Sequence, residues 1–136
     1  MTSTCVTKCL TDCDEYSLTQ TVTTEDAIGV RAAWFVRFWP AGINVCAEFC
    51  VEGLATAGDR RDVAAQVAKG IAALERGDGE PISIIEDARG GGALTLEGGG
   101  LEVTCATKDG SVLRTCLPVA HPVNGDILRS IAKLCE

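Results

Sequence analysis

Residues 28–53 read IGVRAAWFVRFWPAGINVCAEFCVEG, and the alternation of their apolar side chains decides the fold class. From Ile28 to Phe38 the even positions are Ile28, Val30, Ala32, Trp34, Val36 and Phe38, all apolar, while the odd positions include Arg31 and Arg37. A period of two is the signature of an extended strand with one face buried. Pro40-Ala41-Gly42 interrupts the run, and beyond it the parity reverses. Ile43, Val45, Ala47, Phe49 and Val51 are now the apolar set, with Asn44, Cys46, Glu48, Cys50 and Glu52 between them. A hairpin turn explains the reversal. With Trp39 opposite Gly42, Phe38 meets Ile43, Val36 meets Val45, Trp34 meets Ala47, Ala32 meets Phe49 and Val30 meets Val51, so the two apolar faces coincide. The same register sets Arg31 opposite Cys50. A helix is the competing reading of the first half, because Thr23-Thr24-Glu25-Asp26 resembles a capping box and Pro40 would stop it. The alternating Val, Phe and Trp favour the strand.

Both tryptophans and all three phenylalanines lie in this stretch, so the hairpin is the expected centre of the core. Upstream, residues 1–27 are rich in Thr, with five acids against a single base, Lys8. They read as a polar N-terminal arm or edge strand outside the core, and residues 28–136 as a single α+β domain. Downstream, Val63, Val67, Ile71 and Leu74 form one stripe of a helix near 59–76, capped by Thr56 or Asp59 and closed by Gly77. Gly70 inside it costs about 1 kcal/mol relative to Ala, which marks a close packing contact.

Ile82-Ser83-Ile84-Ile85 is an expected strand. The glycine runs 90–92 and 98–100 are expected turns around Leu94-Thr95-Leu96, and neither leads into the Gly-Lys-Ser/Thr ending of a phosphate loop. For the last hairpin, a three-residue loop Lys108-Asp109-Gly110 pairs Leu101 with Leu117 and Cys105 with Leu113, apolar on apolar; a two-residue loop would set Cys105 against Arg114. A C-terminal helix near 124–134 carries Ile127, Leu128, Ile131 and Leu134 on one stripe, with Asn124 as its expected cap. The expected architecture is therefore α+β: an antiparallel sheet of two or three hairpins covered by these two helices.

The 136 residues suffice for one domain with a core, and 46% apolar content excludes a disordered chain. No apolar run reaches the roughly 18 residues of a membrane span, so no membrane partner is expected. The start, Met1-Thr2-Ser3-Thr4-Cys5, lacks the basic and apolar segments of a secretory signal, and the expected location is intracellular, in the cytoplasm or in a particle assembled in the cell, a virus included. Twelve basic residues scattered through a chain of net charge -7 offer no cluster for nucleic acid.

Chemistry, if any, resides in the eight cysteines. Without a secretory signal they are expected as thiols or metal ligands rather than a disulfide framework. Cys5, Cys9 and Cys13 are spaced by four, as are Cys46 and Cys50, and these five are the candidate metal ligands. On a helix such a spacing lets thiols share an ion; on a strand it separates them by about 13 Å. The tighter Cys-x2-Cys pair common in zinc sites is missing. An antiparallel pairing of an N-terminal strand with the 43–52 strand would set Cys5 against Cys50 and Cys9 against Cys46. His121, the single histidine, reads as a surface residue beside Pro122. With no catalytic constellation and no cofactor motif, the expectation is a non-catalytic protein-interaction or assembly module, binding a protein partner or itself. The alternative is a cysteine-based metal-binding or thiol-redox protein.

Overall fold

The computed structural model describes residues 3–25, 29–38, 44–51, 57–77, 79–86, 92–106, 112–117, 119 and 121–136. It is an α+β fold in which four strands and a helix are followed by four more strands and a second helix. Strands β1 (Ser3–Asp12), β2 (Tyr16–Glu25), β3 (Gly29–Phe38) and β4 (Asn44–Val51) form one antiparallel sheet in that order. Helix α1 (Ala57–Arg76) follows. Strands β5 (Ile82–Glu86), β6 (Gly92–Glu97), β7 (Gly100–Ala106) and β8 (Val112–Cys116) form the second sheet, also in chain order, and helix α2 (Pro122–Leu134) ends the chain.

The β3–β4 register is the one the parity reversal requires: Val36 with Val45, Trp34 with Ala47, Ala32 with Phe49, Val30 with Val51 and Arg31 with Cys50. The proposed Phe38–Ile43 pair and the turn lie outside the described residues. Over the described residues 29–38 the competing helix loses to the strand, because the apolar side chains recur every two residues and Ala32, Trp34 and Val36 are all buried. In the second sheet Cys105 pairs with Leu113, and Leu117 N donates to Leu101 O at 2.8 Å, again the expected register, with the loop itself outside the described residues.

Two expectations are corrected. Of residues 1–27, read as an arm or edge strand outside the core, β1 is indeed the edge strand of the first sheet, but β2 is an inner strand whose Tyr16, Leu18 and Gln20 are buried. Its inner face is interrupted by Gln20 and flanked by threonines, which disguised its period. The strands also divide between two sheets rather than one.

Each helix covers the sheet it does not follow. Gln66 of α1 donates to Ser83 O of β5 at 2.7 Å, and a Cβ on Gly70 would lie 2.9 Å from Ile84 Cδ1 and 3.3 Å from Leu128 Cδ1 of α2. The missing side chain at Gly70 is what lets α1 lie this close to β5 and α2. Conversely, Trp34 Nε1 of β3 donates to Ser130 Oγ of α2 at 3.0 Å. One apolar core, with Trp34, Leu18, Leu94, Leu96, Leu101 and Leu128 fully buried, joins both sheets and both helices. Among the described residues no helix is long and apolar enough to cross a membrane.

Candidate functional site

Helix α2 starts at Pro122, a residue suited to the first helical position because its missing N–H has no partner to lose there. The cap is His121 rather than the expected Asn124: its Nδ1 accepts from Val123 N at 3.1 Å, which requires that nitrogen to be the unprotonated one. Nor is His121 a plain surface residue. Its ring is half-buried, edge-on to Tyr16 and Phe38 at centroid distances of 4.8 and 4.9 Å. Asn124 is fully buried instead, and its Nδ2 donates to Gly99 O at 3.0 Å, fastening α2 to the β6–β7 turn.

One turn further on, Asp126 joins α2 to the first sheet. Its carboxylate accepts from Tyr16 Oη, from Thr11 Oγ1 at 3.0 Å and from Arg129 at 2.7 Å. Burial pushes the Tyr16 phenol up to about 12, and the adjacent carboxylate adds to the shift. Burial alone would raise Asp126, but the hydrogen bonds from Tyr16, Arg129 and Thr11 outweigh it and hold the carboxyl below the ordinary range. A neutral phenol and an ionised carboxylate are thereby both held in one charge state across neutral pH. The cluster acts as a polar joint.

Two grooves flank this joint and share Arg129. One, of about 300 Å³, is lined by Ile71, Leu74, Glu75, His121, Pro122, Gly125 and Arg129 between the helices. The other, of about 220 Å³, lies between α2 and the end of β1, beside Leu10, Thr11 and Lys133.

The remainder of β1 leaves this cover. Residues 4–9 are all exposed, on both faces of the strand, and Val6 is 56% accessible. Among the described residues β1 pairs only with β2, so its second edge carries unpaired backbone groups. The β1–β2 register sets Cys5, Thr7 and Cys9 opposite Thr23, Thr21 and Thr19 on the outer face of the sheet, with a bridge of 3.0 Å between the Thr7 and Thr21 hydroxyls. Phe35, paired with Thr19 from the other side, is 45% exposed on that face.

The five candidate ligands are not brought together. Cys5 and Cys9 are exposed and four residues apart on an extended strand, about 13 Å by strand geometry. Cys13 lies beyond the strand end, its thiol donating to Tyr16 O at 3.4 Å. Cys46 and Cys50 are on β4, paired with Phe35 and Arg31. The expected pairing of Cys5 with Cys50 and Cys9 with Cys46 is overturned within the chain. Each pair does share a row of the sheet, because Cys5 faces Thr23, Thr23 faces Arg31 and Arg31 faces Cys50. Strands β2 and β3 nevertheless stand between them, so three strand spacings, about 14 Å, separate the pairs. No group of three metal-binding side chains occurs among the described residues. Cys116 is exposed and donates to Glu102, and Cys135 is half-buried, its thiol pushed up by burial.

Sequence reasoning missed Asp126, Thr11 and Arg129 altogether. The one available signal was Tyr16, the single aromatic side chain outside the 28–53 stretch. Comparison with protein-family models, with curated proteins and with solved structures finds no match.

Proposed function

We propose that the chain is a non-catalytic interaction module, a subunit of a homo-oligomer or of a larger particle, and that β1 is its contact element. The observation that carries this reading is the bare half of β1: residues 4–9 exposed on both faces, with an edge open among the described residues. Natural sheets blunt such edges because an extended partner can add to them through the backbone. Lys8 and the irregularity between Cys9 and Thr11 blunt this one only in part. The exposed Val6 and Phe35 add apolar area for a partner to cover. Sedimentation combined with affinity capture tests the reading: association with itself or with a protein partner is expected. A chain that stays monomeric at its highest soluble concentration and captures nothing overturns it.

The exposed thiols Cys5, Cys9, Cys13 and Cys116 favour a second reading, a protein that binds metal or cycles a disulfide. Elemental analysis and thiol counting on anaerobically purified protein decide it. All cysteines free, with no metal, remove it.

A further inference from the structure

We infer that the partner of β1 is a second copy of this chain, joined antiparallel about a two-fold axis perpendicular to the sheet, with Thr7 of each copy opposite Thr7 of the other. This rests on reading the chain as an interaction module and names its partner. An isologous contact must be self-complementary, residue i meeting j while j meets i. On the outer face of β1 the sequence Cys5, Thr7, Cys9 reads the same in both directions. An antiparallel copy centred on Thr7 therefore sets Cys5 against the other copy's Cys9, twice, and Thr7 against Thr7. On the inner face Lys8 lies opposite the other copy's Val6, where its aliphatic stem covers exposed apolar surface and its ammonium stays in water.

Charge selects this stretch and this register. The chain carries a net charge of -7, yet residues 3–11 hold no carboxylate and one cation, Lys8. Two acidic copies can meet here without setting acid against acid. A register with Lys8 opposite Lys8 opposes like charges, which destabilises a cross-strand pair. A register with Val6 opposite Val6 loses the Cys–Cys and Thr–Thr matches. The chosen register also keeps residues 5–9, before the irregularity that follows Cys9, at the centre of the new ladder. The product is one continuous eight-stranded sheet with both α2 helices on the same side.

Sedimentation of the full chain over a concentration series should show a monomer–dimer equilibrium that two substitutions at one exposed position move in opposite directions. Val6→Lys sets like charge against the partner's Lys8 and should raise the dimer Kd at least tenfold. Val6→Glu forms two new ion pairs with it and should lower the Kd, an effect that salt removes. Circular dichroism and thermal unfolding establish that both variants keep the fold. Opposed Cβ atoms lie about 4.5–5.5 Å apart, slightly beyond the roughly 3.5–4.5 Å of a disulfide, so modest closure suffices for crosslinking. Diamide, which takes up the two hydrogens of a thiol pair, should join Cys5 of one copy to Cys9 of the other in peptide maps. Cys5→Ser and Cys9→Ser should each abolish that link alone and restore it when mixed. A dimer whose Kd ignores both Val6 variants overturns the inference. So does a monomer at every concentration; if Val6→Lys then abolishes capture of another protein, the interaction reading stands, and if nothing is captured both fall.

Discussion

Strands β1 and β2 are adjacent, equally long and alike in composition, STCVTKCLTD against YSLTQTVTTE, yet they meet opposite environments. In β2, Tyr16, Leu18 and Gln20 are buried between β3 and α2; in β1, residues 4–9 have both faces in solvent. Thr and Val suit a pleated surface whether or not it is covered, so composition does not separate the two. Position does: β2 has a neighbour on each side and a hydrogen bond from Tyr16 to α2, while β1 meets α2 at its far end, at Leu10 and Thr11. The covered strand holds the fold together. The bare one is free to hold something else.

The comparison breaks most visibly through Trp34, the largest fully buried side chain among the described residues, which pairs with Gln20 of β2. Trp34→Ala should cost about 3–5 kcal/mol in urea unfolding, from the cavity and from the lost bond to Ser130. A loss below about 1 kcal/mol would mean that α2 does not cover this sheet.

Next in size is the joint between β2 and α2. Asp126→Ala leaves the buried Tyr16 hydroxyl without its acceptor and should cost about 1–3 kcal/mol. Tyr16 is the single tyrosine, so tyrosinate absorbance reports it alone. Its midpoint should lie near 12 in the folded chain and fall only partway towards 10 in the variant, because burial is the larger cause of the shift. A raised phenol pKa contributes stability that is complete below about pH 10 and is lost as pH rises from there through about 12. Asp126 has the opposite sign: its lowered pKa contributes stability above the ordinary carboxylate range, lost as pH falls through the folded value. Asp126→Ala should flatten both limbs, and unchanged limbs would show that the joint does not couple the helix to the sheet.

Gln20 gives a smaller effect of opposite sign. It is 2% exposed and its Nε2 has no hydrogen-bond partner among the described residues. Gln20→Met, of similar length and without the amide, should be neutral or stabilise by up to about 1 kcal/mol. A clear destabilisation would show that the amide has found a partner.

The smallest effect sharpens the contrast. Val6→Thr on the bare strand should change the unfolding free energy of the isolated chain by less than about 0.5 kcal/mol, since an exposed side chain there has little burial to lose. A cost comparable to a core substitution would show that β1 is covered after all.

The registers of β3 with β4 and of β7 with β8 were legible because side-chain parity is local and a one-residue slip would turn every apolar side chain to the wrong face. Both helices were legible for the same reason, and Gly70 announced its close contact. The inner face of β2 was harder: Tyr16, Leu18 and Val22 alternate, but Gln20 breaks the apolar series and threonines surround it. Local pattern was enough for the two helices, for the strands from residue 29 onward that alternate or run apolar, and for the alignment of β3 with β4 and of β7 with β8; it was not enough for β1 and β2 or for the registers that join them to β3. Nothing local divides the strands between two sheets or sends each helix to the sheet it does not follow. The tertiary structure alone set Asp126 beside Tyr16, and placed Cys5 and Cys50 in one row at opposite edges of a sheet. Alignment follows from a period of two read over a few residues. Assembly depends on contacts between groups more than a hundred positions apart, and no local pattern records those.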